Sequence, residues 1–137
     1  MNIKPKIRIR IAGIFIKEDK ILLVKGKKYK ELWTVGGKVD GNETDEECLR
    51  REIKEEIGVE ITDIKFYKKY LTTSFYNPDI QMEERVYLIS IKGAMKPNAE
   101  IESFVWFSKD DYYSKKYLMI THTEDEIIPD LIKDNIW

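Results

Sequence analysis

Hydrophobic and polar positions change their period several times along this chain, and each change marks a new element. Ile7, Ile9 and Ile11 alternate with Arg8 and Arg10, and the pattern then turns continuously apolar as far as Ile16. This predicts a strand over residues 7–16 that passes from a half-solvated to a covered environment. Glu18 and Asp19 make a turn and residues 20–25 read as a second strand, so the two predict a hairpin opening a sheet. Short extended pieces flank Trp33 and Gly37. Residues 61–75 form a long aromatic-rich strand that Asn77-Pro78-Asp79 breaks; residues 85–91 form another, ended by Lys92-Gly93, and residues 101–107 the last. Ser108-Lys109-Asp110-Asp111 reads as a capped short helix, and residues 124–135 hold Ile127, Ile128, Leu131 and Ile132 at helical spacing. Strands with two principal helices predict the α/β class, a mixed β-sheet sandwiched between α-helices.

The other principal helix lies in GKVDGNETDEECLRREIKEEIGV, residues 37–59. Thr44 and Glu47 form a capping box, in which hydroxyl and carboxylate each satisfy an orphan backbone N–H, and Gly58 supplies a left-handed stop. The helix is expected over residues 45–57. At 100° per residue, with Glu52 at zero, Glu56 falls at about 40° and Glu55 at about 300°. Cys48, Leu49, Ile53 and Ile57 spread over the sector that contains Glu52 and Glu56, so these carboxylates turn toward the protein. Glu47, Arg50 and Lys54 hold the opposite, solvated side. Carboxylates gathered in a partly desolvated place repel one another, and must take up protons or share a cation. A hard divalent ion with oxygen ligands answers this; Mg²⁺ suits it best, and Mn²⁺ could replace it.

Written as a pattern, the stretch is Gly37, five residues, Glu43, seven residues, then Arg51-Glu52-Ile53-Lys54-Glu55-Glu56-Ile57-Gly58-Val59. It resembles the Nudix box at every defining position. The resemblance implies that Glu52, Glu55 and Glu56 bind metal, with the Gly37 carbonyl as a further ligand, and that one of these glutamates, or a carboxylate from a distant loop, deprotonates the attacking water. It implies that Arg51 orients the catalytic glutamate and pairs with Glu43, a loop-fastening residue, while Gly36 and Gly37 let the backbone bend closely round the site. Val35 stands where many members have proline, and Asn42 where glycine usually precedes the first glutamate. Asn tolerates a left-handed backbone well, so neither departure disables the site.

Charged residues are 36% of the chain yet cancel to a net charge of −1, which provides no global field to attract a nucleic acid polymer or an anionic membrane. The 137 residues suit one domain spanning 1–137, with no room for a second module. No signal peptide or apolar span is visible, which makes the cytoplasm the expected compartment. Cys48 is the only cysteine, so no internal disulfide can form, and its helical position suits packing.

Outside the box, Arg8 and Arg10 share one strand face, where they either face solvent or hold substrate phosphate, since a guanidinium matches phosphate oxygens bidentately. Lys25, Lys27, Lys28 and Lys30 form a basic loop leading into the box. Glu83 and Glu84 begin the strand after the 74–82 loop, where relatives often supply an extra carboxylate. His122, the only histidine, suits a loop or capping role. Tyr76, Trp106 and Tyr112 are candidates to stack on a base or to pack in the core.

The resemblance therefore implies a metal-dependent pyrophosphohydrolase that acts on a small-molecule nucleotide, most simply a nucleoside triphosphate, oxidised or not. Hydrolysis of ADP-ribose, nucleotide sugars or dinucleoside polyphosphates is also compatible with the box. A silent nucleotide sensor would call for a damaged box, and an isoprenoid diphosphate isomerase for a catalytic cysteine in the pocket. Whether the protein is a monomer or a homodimer is open at this level.

Overall fold

The computed structural model describes residues 7–137, so the first six positions of the expected domain lie outside the described residues. Strands β1 (Ile7–Ile14), β2 (Ile16–Lys17), β3 (Lys20–Gly26) and β4 (Trp33–Lys38) precede helix α1 (Asp45–Ile57). Strands β5 (Glu60–Thr73), β6 (Gln81–Lys92) and β7 (Ile101–Phe107) follow, then α2 (Lys109–Tyr113), a π-helical turn at Thr123–Ile127 and α3 (Ile128–Lys133).

The strands lie in the order β2-β3-β4-β1-β6-β5, with β7 beside β3. β1 runs antiparallel to β4 and parallel to β6, and β4 serves two neighbours: Trp33 and Thr34 pair with β3, and its second half with β1. The sheet curls around this shared strand. The expected opening hairpin is confined to Ile16–Lys17 against Lys20–Ile21, turned by Glu18 and Asp19 at positive φ. The reason lies in β1's burial. Ile11, Ala12 and Ile14 are covered on both faces of a central strand, and a central strand needs two partners.

Two cores result. Ile11, Leu22, Val24 and Val35 pack on one face against Cys48, Leu49, Ile53 and Ile57 of α1. Ala12, Ile14, Ile21 and Leu23 pack on the other against Ile127, Ile128, Leu131 and Trp137. The mixed sheet is thus sandwiched between helices, as the pattern predicts. The expected helix over 124–135 is divided: Pro129, which has no N–H to donate, stands in the first turn of α3, directly after the π-helical turn. No helix among the described residues is long and apolar enough to cross a membrane.

Candidate active site

Helix α1 takes the predicted limits and the predicted caps. Thr44 accepts from the Glu47 N–H at 3.2 Å, Glu47 accepts from the Thr44 N–H at 3.1 Å, and Gly58 closes the helix at φ 72°. The first turn is tied to the sheet, since the Asp45 carboxylate accepts from Arg85 Nη1 at 2.8 Å and from the Tyr87 hydroxyl. These contacts fix the rotation of α1, and with it the direction of its glutamates.

Glu56 is only 2% exposed. The Gly36 N–H donates to its Oε1 at 2.9 Å, and its Oε2 is buried without a partner among the described residues. Burial pushes its pKa up to about 8, against the Gly36 hydrogen bond and the charge of Arg10. Glu52 presses on Gly37 so closely that a Cβ there would come within 2.3 Å of its carboxyl carbon. Burial raises its pKa too, although Arg51 Nη1 donates to its Oε1 at 2.9 Å. Glu55 is 55% exposed and only loosely held by Arg51, at 3.4 Å.

Arg51 spends its remaining donors on Glu43, at 2.6 and 2.9 Å, and on the Lys38 carbonyl at 3.3 Å. That fork holds the Glu43 carboxyl down at a pKa of about 2, helped by the Asp40 N–H. Glu43 thus fastens the loop before α1, in the place the sequence pattern gave it. Cys48 is fully buried beneath the helix, its thiol pushed up to about 11 by burial, and it takes no part in lining the cleft. A cysteine-dependent isomerase has no thiol to use here.

Gly36, Gly37 and Glu52 form part of the lining of a cleft of about 580 Å³. Arg8 and Arg10 line it as well, so the solvent-facing alternative for this strand face is corrected. The face is covered because β4 and β6 flank β1 and the loops beyond them rise over it. Arg10 Nη1 donates to Thr34 Oγ1 at 2.8 Å and Glu84 Oε1 at 2.9 Å, while Nη2 donates to the Thr34 carbonyl at 2.6 Å. Glu84 is 3% exposed; its second oxygen lies 3.2 Å from His122 Nε2, off the line of a good hydrogen bond, and His122 Nδ1 meets Glu126.

Glu83 and Glu84 do not act as a pair. β6 begins at Gln81, so both lie within the strand and point to opposite faces: Glu83 binds Arg85 at 2.6 Å on the α1 side, away from the cleft. His122 corrects its loop or capping expectation, for its side chain caps nothing and is buried against Glu84. Of the basic loop, Lys27 and Lys28 reach the cleft. Of the three candidate stacking rings only Tyr76 does; Trp106 packs edge-on to Phe15, and Tyr112 beside Phe107 and Trp137. Glu100 was missed. Its carbonyl accepts from the Lys27 N–H at 2.9 Å, it lines the cleft, and its charge contributes to raising both Glu52 and Glu56. No local spacing announces it, because a connection between strands brings it there.

Among the described residues no three acidic, imidazole or thiol side chains converge as a finished ligand set, since Arg51 draws Glu52 and Glu55 toward itself. The donor chemistry nonetheless fits a hard divalent ion. Two neighbouring carboxyls resist ionising alone, one oxygen is buried and unpartnered, and Gly37 leaves open the space before Glu52.

Comparison with known proteins agrees with this geometry. The family model for the NUDIX domain matches residues 6–131. An 8-oxo-dGTP diphosphatase of Buchnera aphidicola is 33% identical over 129 residues, covering 90% of this chain and 92% of that protein. An m7GpppN-mRNA hydrolase of Saccharomyces cerevisiae is also 33% identical over 129 residues, but there the match covers 85% of this chain and only 13% of the yeast protein. Among solved structures, a NUDIX hydrolase from Nitrosomonas europaea shares the fold, with a TM-score of 0.76 at 20% identity, over 96% of this chain and 89% of that one. The box, the fold that presents it and the similarity along nearly the whole chain agree: this protein is a hydrolase of the Nudix family.

Proposed function

We propose that the protein is a Mg²⁺-dependent nucleoside triphosphate pyrophosphohydrolase. The observation that carries this reading is Glu56, a buried carboxyl with one oxygen unpartnered among the described residues, held behind Gly36 and next to Glu52, which lines the glycine-bearing end of a cleft that also holds two arginines. Nudix hydrolases generally use divalent metal ions. The name of the Buchnera relative supports a triphosphate as substrate.

Glu52, Glu55, Glu56 and the Gly37 carbonyl would hold Mg²⁺, with Mn²⁺ able to replace it. When bound, the ion neutralises phosphate oxygens and lowers the pKa of water in its shell. The protein's own part is alignment and proton transfer. Gly36 and Gly37 admit the phosphates close to the backbone, and Lys27 and Lys28 offset their charge. The water oxygen bonds to phosphorus as the bridging P–O bond opposite breaks, and the water's proton passes to a carboxylate. We take Glu55 as the acceptor; its exposure and its loose contact with Arg51 support this reading. Arg51, anchored on Glu43, orients Glu52 and Glu55 and keeps them from swinging away. Glu100 adds negative charge near Glu52 and Glu56.

A panel of nucleotides with Mg²⁺ and product identification tests this. Glu55→Gln and Glu56→Gln are each expected to lower turnover by roughly 10² or more. Unchanged turnover in both would remove the site from these residues, and a panel with no cleaved member would favour a nucleotide sensor.

A further inference from the structure

The cleft has a second end, and it is built for a different task. Along β1, Ile11 pairs with Gly37, so Arg8 lies roughly 10 Å further along the strand, at about 3.3 Å per residue. Arg8 is level with Met82 and Thr72, next to the turn that carries Phe75 and Tyr76. A nucleotide held by its phosphates at Gly37 extends its sugar and base toward this end.

Tyr76 stacks on Tyr29, from the loop before β4, with ring centroids 4.1 Å apart, and Phe75 meets Tyr76 edge-on. Tyr29 and Tyr76 remain 45% and 47% exposed at the cleft wall. Aromatic faces of this kind stack on any base, so they contribute affinity without selecting one. Selection requires donors or acceptors that are still unspent. Arg10 has both terminal nitrogens committed to Thr34 and Glu84, and Glu84 is enclosed by Arg10 and His122. Arg8 differs: it lines the same cleft, and its Nε is buried without a partner among the described residues.

We propose that Arg8 reads the base, and that the cleft selects a purine with a 6-oxo group and an unprotonated N7, guanine or hypoxanthine, over adenine, uracil and 8-oxoguanine. This rests on the nucleotide reading above and adds to it the identity of the base. A guanidinium only donates, and its two parallel N–H groups match the adjacent O6 and N7 acceptors of guanine. Adenine presents an amino donor beside N7, and 8-oxoguanine carries a proton on N7 itself. Either one sets donor against donor and leaves a desolvated N–H unpaired.

The test is equilibrium binding by calorimetry to the full chain in EDTA, with the 5′-monophosphates of guanosine, inosine, adenosine, uridine and 8-oxoguanosine. Guanosine and inosine monophosphates are expected to bind alike, and about tenfold or more tightly than the others. Arg8→Ala and Arg8→Lys are expected to bring all five to one affinity, because lysine is a point charge without the fork. Tyr76→Ala is expected to weaken all five by a similar factor and keep their ratio. The proposal is overturned by equal binding of all bases, by tighter binding of the 8-oxo form, by no binding of any, or by an Arg8→Ala loss uniform across bases, which marks a phosphate contact. Failure of the hydrolase reading shows separately, as absent triphosphate cleavage with Mg²⁺, because these measurements involve neither metal nor turnover.

Discussion

Gly36 and Gly37 are adjacent and need to be glycine for different reasons. Gly36 has φ 134°, and a Cβ there would lie 2.0 Å from the Ile11 carbonyl oxygen; Gly37 is not at positive φ, and the atoms its Cβ would meet first are those of the Glu52 carboxyl. Gly36→Ala is therefore expected to destabilise the fold by roughly 2 kcal/mol or more. Gly37→Ala should leave the melting temperature nearly unchanged while reducing turnover, because Glu52 must move aside. Thermal unfolding run beside an activity assay separates the two, and equal loss of stability in both would contradict this division. The inward turn of Glu56 was legible at this scale, since its place on the helical wheel follows from spacing alone. The surroundings of Arg10 and Glu84 were not, because a residue on a strand has no face until its neighbours are known, nor were those of His122, which a distant segment brings to Glu84.

Helix α1 is the element on which local sequence decides most. Its limits, capping box and left-handed stop are all set within a few residues of chain, which is why the sequence predicts them to the residue. Thr44→Ala should cost about 1 kcal/mol by denaturant unfolding. Asp45→Asn keeps the side chain's size but gives up the charged partner of Arg85, and should lower turnover more than stability, through the rotation of the helix. A variant with normal turnover would show that the tie to β6 does not aim the glutamates. Pairing was not legible in this way. The hairpin expected from β1 fails because its alternating start and apolar end describe a central strand, yet do not say which strands lie beside it. The division of the last helix follows from Pro129 and could have been anticipated from the chain.

For the whole molecule, buried Glu84 and His122, flanked by half-buried Arg10 and exposed Glu126 and with the Tyr70 ring edge-on to His122, couple stability to pH. Burial pulls the His122 imidazole down, and the Glu84 and Glu126 carboxylates together more than reverse it, so its pKa is raised above 6.5. Its contribution is therefore complete below pH 6.5 and is lost as pH rises through the raised value. For Glu84, burial is outweighed by His122 and Arg10, and the pKa is lowered below 4.5; that contribution is present above 4.5 and lost as pH falls through the lowered value. Melting temperature is expected to peak between these limits and to decline into the alkaline range, and His122→Gln should flatten the alkaline arm. An unchanged arm would assign the decline to other groups. Chelation of divalent ions should abolish turnover yet lower the melting temperature by only a few degrees, since the cores on both sides of the sheet hold the fold without the carboxylates proposed to bind the ion.

The parallel pairing of β1 with β6 also governs how the molecule emerges during synthesis. Arg10 and Glu84 are 74 positions apart, and at about 5–20 residues per second the first strand waits roughly 4 to 15 s for its partner to be made. β4 arrives early and can cover one edge of β1. The other edge stays open on the nascent chain, and with it the strand that carries both Arg8 and Arg10. No partial chain ending before β6 possesses the cleft, and Glu100, Ile120 and Thr123, which also line it, arrive later still, so the site is completed only after the sheet has closed.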